Sequence, residues 1–166
     1  MKKISLIVLF FSFAVFAQTN EILHTQINKE DNGHSFSFSI SKKLFNTNEH
    51  DLSKIQFNTL DNDTVFGIDG SLPKYEISEI TLKIDDKNIL ITKDFYKRFY
   101  NPSLEYDSNF KNIDAFFNNN YETVIVLMNA SDGAGAYPLI MLLNKNEHHT
   151  FIKMSMEDIY FNFLTN

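Results

Sequence analysis

The sequence holds no cysteine and no tryptophan, and only three prolines and five glycines in 166 residues. Each scarcity excludes something. Without cysteine there can be no disulfide, no thiolate metal ligand and no thiol nucleophile. The cysteine-borne lipid anchor of a bacterial lipoprotein is excluded for the same reason. Without tryptophan the chain lacks the usual stacking platform for sugars. Long apolar runs are also missing. Ile4 to Phe16 is the longest, broken by Ser5 and Ser12, and it falls short of the roughly 20 residues a membrane span needs. Tyr121 to Met128 and Pro138 to Leu143 are shorter still.

Basic residues are in the minority. The formal charge is −6, and removing residues 1–17 would take away Lys2 and Lys3 but no acid. An acidic chain of this kind argues against nucleic acid or anionic lipid as a partner, because both need basic patches. It suits a cationic partner, and it also serves solubility.

The N-terminus reads as an export signal. Lys2 and Lys3 form a positive start, the apolar run follows, and Val15-Phe16-Ala17 places small residues where a signal peptidase cuts. Cleavage near Ala17 predicts an exported protein, periplasmic or secreted, with no membrane span in the mature chain. An exported chain without cysteine must be stabilised by its core alone.

Along the rest of the chain the periodicity is mostly two. Residues 18–33 read as a polar lead-in with an edge strand around Ile22 to Ile27, ended by the turn Asp31-Asn32-Gly33. In His34 to Ser41, Phe36, Phe38 and Ile40 alternate strictly with serines, which predicts a strand with one solvated face. Thr64 to Ile68 predicts a short strand. Tyr75 to Ile84 and Ile89 to Thr92 predict a hairpin across Asp85-Asp86-Lys87-Asn88. Asp94 to Tyr100 changes to a spacing of four and predicts a helix stopped at Asn101-Pro102. Phe110 to Phe117, Glu122 to Met128, Tyr137 to Leu143 and His149 to Met154 predict four further strands. Glu122 to Met128 is apolar on both faces, as in a strand covered on both sides. Ser155 can cap a short helix from Met156 to Leu164. The expected fold is mainly β (α+β): a single antiparallel sheet or sandwich-like domain over 34–166, with one or two short helices.

One loop concentrates the candidate binding residues. Asn129 to Pro138 gathers small side chains between the two most apolar strands and contains Ser131, Asp132, Gly133, Gly135 and Tyr137. As a turn, it would use Gly133 and Gly135 for positive φ, while Ser131 and Asp132 bond their own backbone. As a binding loop, it would offer successive backbone N–H groups, or Asp132, to a ligand or protein partner. No metal is expected. His148 and His149 are adjacent and point to opposite faces of a strand, and His24, His34 and His50 show no ligand spacing, so all five read as surface histidines. Asp61-Asn62-Asp63-Thr64 begins like a calcium loop, but Phe66 and Leu72 stand where glycine and glutamate are required, so it reads as a polar turn. No cofactor and no catalytic residue is expected.

The run Ser131 to Tyr137, S-D-G-A-G-A-Y, with the strand and charged turn after it, resembles a segment of uncharacterised secreted proteins of the Bacteroidota. The resemblance covers about Ile80 to Lys153 and implies a shared architecture but no activity. More weakly, Gly133-Ala-Gly-Ala-Tyr137 is similar to the S-G-x-x-Y loop of bacterial periplasmic lysozyme inhibitors, with Asp132 where that motif has serine. Three functions are therefore weighed. The first is a non-catalytic exported domain with a binding or structural role. The second is an inhibitor of a hydrolase, lysozyme-type, acting through the 131–137 loop. The third is a small hydrolase with dispersed carboxylates.

Overall fold

The structure is a computed structural model that describes residues 23–55, 59–104, 112–130 and 135–154. The expected signal segment, the C-terminal helix and Ser131, Asp132 and Gly133 lie outside the described residues.

The described chain is mainly β, in two four-stranded antiparallel sheets. The first has the order β1-β2-β5-β6 and the second β10-β9-β8-β7. In the first sheet, β1 (Leu23–Asp31) turns at Asn32-Gly33 into β2 (His34–Leu44), which pairs with β5 (Tyr75–Ile84), which turns into β6 (Lys87–Ile89). Asn32 and Gly33 both take positive φ, +49° and +81°, as a two-residue hairpin turn demands. The second sheet is a meander of β7 (Ile113–Phe117), β8 (Thr123–Ala130), β9 (Tyr137–Asn144) and β10 (Thr150–Lys153). Between β2 and β5 lie two single-turn 3-10 helices and a small hairpin, β3 (Thr59–Leu60) with β4 (Asp63–Thr64).

One core joins the sheets. Phe36, Phe38 and Ile40 of β2 and Ile80, Leu82 and Ile84 of β5 belong to the same buried cluster as Val124, Val126 and Met128 of β8 and Leu139, Met141 and Leu143 of β9. Period two puts each set on one face, so each sheet has an inward side and the arrangement is sandwich-like. Burying each such side chain stabilises by roughly 1.5–3 kcal/mol.

Several expected elements change shape. The predicted edge strand near 22–27 runs on to Asp31 because every residue from Leu23 has a partner on β2. The predicted strand at Thr64 to Ile68 is only the two-residue β4. Positive φ at Asp61 and Asn62 turns the chain sharply, and the ladder ends at Thr59↔Thr64. The predicted helix at 94–100 is shorter, α1 (Lys93–Tyr96). Phe99 is drawn out of it by a parallel bridge to Phe66, with Phe66 N–H donating to the Arg98 carbonyl and Tyr100 N–H to the Phe66 carbonyl, both at 2.9 Å. β8 is an interior strand of its sheet, as its apolar pattern suggests. Among the described residues, however, its second face is not covered: Leu127 is 40% exposed.

Candidate functional site

The cleft beside the root of the 131–137 loop starts from an irregularity in β2. The register with β5 shifts between Ser41 and Lys42, since Ser41 faces Glu79 and Lys42 faces Ile77. A bulge breaks the in-out alternation. Ile40, Ser41 and Lys42 are therefore buried in succession, and Lys42 is only 2% exposed. Its ammonium donates to the Pro102 carbonyl at 3.0 Å and sits 4.5 Å from the centroid of the Tyr75 ring. Lys74 lies 5.0 Å from the same centroid, so one aromatic ring serves two cations.

The opposite wall is built on Asn101. Its φ is +51°, a conformation asparagine tolerates because its short amide bonds locally. The side-chain oxygen accepts from the backbone N–H groups of Lys74 (2.9 Å) and Tyr75 (3.0 Å), and the side-chain nitrogen donates to the Gly67 carbonyl at 2.7 Å. Asn101-Pro102 does not end the helix, which already stops at Tyr96; one amide instead pins the 67–75 loop to the start of β5. Gly67 has φ +89°, and a β-carbon there would collide with the Tyr100 carbonyl and come within 3.0 Å of the Tyr137 ring. Lys42, Gly67, Lys74, Tyr75, Asn101 and Pro102 surround a cleft of about 400 Å³ that also takes in Asp69, Ser71, Leu72 and Ser103.

The loop is tied to this cleft at both ends. Ala130 and Tyr137 face each other across β8 and β9, and both are buried, at 1% and 2% exposure. Ala130 bridges to Pro102, and Ser103 N–H donates to the Asn129 carbonyl at 3.2 Å. The Tyr137 hydroxyl donates to the Tyr100 carbonyl at 3.3 Å, and burial pushes its pKa well above the ordinary tyrosine value. Of the loop residues singled out by sequence, Gly135 is half-buried. Tyr137 is a core residue, and its ring is not presented to a partner. Ser131, Asp132 and Gly133 are outside the described residues. Gly133 and Tyr137 also stand one residue further apart than the glycine and tyrosine of S-G-x-x-Y.

A second polar cluster was not legible in sequence. His50, expected at the surface, has a side chain only 9% exposed. Its Nδ1 lies 2.6 Å from Asp61 Oδ2 and its Nε2 3.0 Å from Glu76 Oε2. The ring stacks on Phe45 at 4.5 Å between centroids. Lys43 closes the cluster, 3.0 Å from Glu76 Oε1 and 3.0 Å from Glu49 Oε2, and this lysine holds the Glu49 carboxyl below its ordinary pKa. Glu49, His50, Asp61 and Glu76 border a cavity of about 220 Å³ with Tyr100. Burial, and then the Glu76 charge, raise the pKa of Tyr100. The two carboxylates sit on opposite ring nitrogens and do not converge on one point, as metal ligands must. Among the described residues there is no group of three or more His, Asp or Glu arranged to hold a metal ion. The cluster reads as a polar lock between β2, β5 and the β3–β4 hairpin.

No helix among the described residues is long and apolar enough to cross a membrane. Comparison with protein-family models, with curated proteins and with solved structures finds no match. What fold and site define together is a class: a mainly β domain of two antiparallel sheets, with a lysine- and tyrosine-floored cleft at the root of a small-residue loop.

Proposed function

We propose that the protein is an exported, non-catalytic binding domain that engages its partner at the sandwich end where the 131–137 loop is rooted beside the Lys42 cleft. The observation that carries this reading is the anchoring of the loop. Ala130 and Tyr137 are both in the core, and Pro102 and Tyr100 tie them to the cleft wall. A loop of small residues on so fixed a base is how a rigid scaffold presents a binding segment. The acidic balance of the chain suits a basic protein partner.

The inhibitor reading is a special case of the same site. The rigid loop base favours it, and the burial of Tyr137 shifts the contact onto Ser131 to Gly135. The test is capture of partners from the envelope fraction by the mature protein and by Asp132→Ala. A variant that keeps the melting temperature and loses a partner supports the reading. A variant that retains every partner, or a wild type that captures none, overturns it.

A further inference from the structure

Among the described histidines, His50 alone has a carboxylate on each ring nitrogen, Asp61 on Nδ1 at 2.6 Å and Glu76 on Nε2 at 3.0 Å. Ionised carboxylates only accept. Both contacts are hydrogen bonds only when each nitrogen carries a proton, or when one carboxyl takes a proton itself. Either way, the closed geometry holds one proton more than a neutral ring between two carboxylates. His149 shows the opposite setting. Its Nδ1 accepts from the Asn144 N–H at 3.2 Å and its Nε2 lies 2.8 Å from the Leu90 carbonyl, which is the pattern of a neutral ring.

The charge around His50 turns on that proton. Asp61 and Asp63 come from the β3–β4 hairpin, Glu76 from β5 and Glu49 from the first 3-10 turn. Three lysines stand against these four acids. Lys43 of β2 is 3.0 Å from both Glu49 and Glu76, and Lys93 and Lys97 lie at the two ends of α1, with Lys97 3.0 Å from Asp63. A protonated His50 offsets the fourth carboxylate. A neutral ring leaves it uncompensated, and Asp94, 3.3 Å from Lys97, adds to the excess. Tyr100, edge-on to the ring at 6.2 Å, brings no charge, because burial raises its pKa.

We propose that His50 is a proton-operated latch that ties the β3–β4 hairpin to β5 and releases it as the pH rises. The hairpin needs a tie. Its ladder is two residue pairs long, too short to hold on its own, and it turns through positive φ at Asp61 and Asn62, which side chains resist. The two bonds of the latch are unequal. The Glu76 side chain is 7% exposed and the Asp61 side chain 39%. A carboxylate shut away from water loses more when its donor leaves, so a neutral ring keeps its single N–H for Glu76. Asp61 then faces the Nδ1 lone pair and turns to water. Leu60, Asp61, Asp63 and Val65 line one side of the 220 Å³ cavity, so the released hairpin opens it. The closed state binds the extra proton. The latch is therefore complete below the range in which histidine titrates, roughly pH 5 to 8, and is lost as pH rises through it.

Amide hydrogen exchange of β3 and β4 in the full chain, corrected for the intrinsic rate, reads the latch between about pH 5.5 and 8. One linked proton changes an opening constant by at most about tenfold per pH unit, and the expected rise over the range is about tenfold. Asp61→Asn discriminates. Its amide keeps an oxygen for the Asp51 N–H, which Asp61 Oδ1 accepts at 2.6 Å, and offers its NH₂ to the Nδ1 of a neutral ring. It should hold the hairpin closed at both ends of the range and flatten the rise. His50→Gln has no proton to lose, and it should flatten the rise at the level of the released hairpin. Each variant is first shown to keep the wild-type circular dichroism spectrum at the acid end, and one that loses it leaves the other to decide. Wild-type exchange that does not increase with pH overturns the proposal. So does a rise of wild-type size in either variant, because the proton would then sit elsewhere.

Discussion

Lys145 Nζ lies 2.9 Å from Asp85 Oδ2, and this contact joins the β5–β6 turn of one sheet to the β9–β10 turn of the other. Asp85 also accepts from the Ser35 N–H at 3.1 Å and faces His34 Nδ1 at 3.4 Å. The bond from Lys145, then that from Ser35, hold its carboxyl at a pKa of about 2, below the ordinary 3.8. The folded state therefore favours the ionised form. The stabilisation is present above the ordinary value and is lost as pH falls from about 4 toward about 2. Asp85→Asn should melt lower than wild type at neutral pH, and the two curves should converge as pH drops through that window. A gap that stays constant with pH would show that the charge is not what matters.

Phe38 is fully buried at the middle of β2. Phe38→Ala should cost roughly 3–5 kcal/mol through the cavity it leaves. Ser37, on the other face, whose hydroxyl accepts from the Gln26 side chain at 3.2 Å, should cost well under about 1 kcal/mol when changed to alanine. Urea unfolding compares them, and equal losses would contradict the assignment of faces.

Gly33 and Gly67 both have left-handed backbone, but their surroundings differ. Nothing stands within 4 Å of a β-carbon at Gly33, while at Gly67 the Tyr100 carbonyl blocks it. Gly33→Ala should cost about 1–2 kcal/mol from the backbone alone. Gly67→Ala should cost more, because strand-end backbone must also move. Chemical denaturation giving the reverse order would remove Gly67 from the cleft wall as a point of close approach.

Asn101 separates side-chain bonding from backbone strain. Asn101→Gly keeps the positive φ and loses three hydrogen bonds, each worth about 0.5–1.5 kcal/mol. Asn101→Asp keeps an acceptor for Lys74 and Tyr75 but turns the donor into a carboxylate oxygen that repels the Gly67 carbonyl 2.7 Å away. Both variants should therefore melt below wild type. If the glycine variant matches wild type, the amide does not hold the 67–75 loop.

Local pattern carried β5 best. Strict alternation gives Tyr75–Ile84 to the residue, but the turn read over Asp85 to Asn88 is only Asp85-Asp86, because Lys87 already pairs with Ile84, and the return strand is Lys87–Ile89 instead of Ile89 to Thr92. β1 was harder, because an edge strand with few apolar side chains looks like a polar lead-in until its partner is known. The apolar pattern of β8 showed an interior strand but also implied a covered outer face, where among the described residues Leu127 is 40% exposed. The site was least legible, for a physical reason. Lys42 is bonded to Pro102, sixty residues on, and His50 to Glu76, twenty-six on. Neither pairing leaves a local spacing to read. The bulge that buries Lys42 has no glycine or proline to announce it.

The route from β2 to β5 has a consequence for how fast the molecule forms. These two strands are the middle pair of their sheet, yet residues 45–74 must be looped out before they meet. The second sheet is a meander, and each of its strands pairs with the next along the chain. Loop closure has to precede the first sheet's ladder, so the meander should form the folding nucleus and the β2–β5 ladder should be completed after the rate-limiting step. Refolding is expected in the range of roughly milliseconds to seconds typical of non-local β topologies. Stopped-flow mixing should then find that Leu82→Ala slows refolding less than Val126→Ala does, with the first sheet's contribution appearing mainly in the unfolding limb.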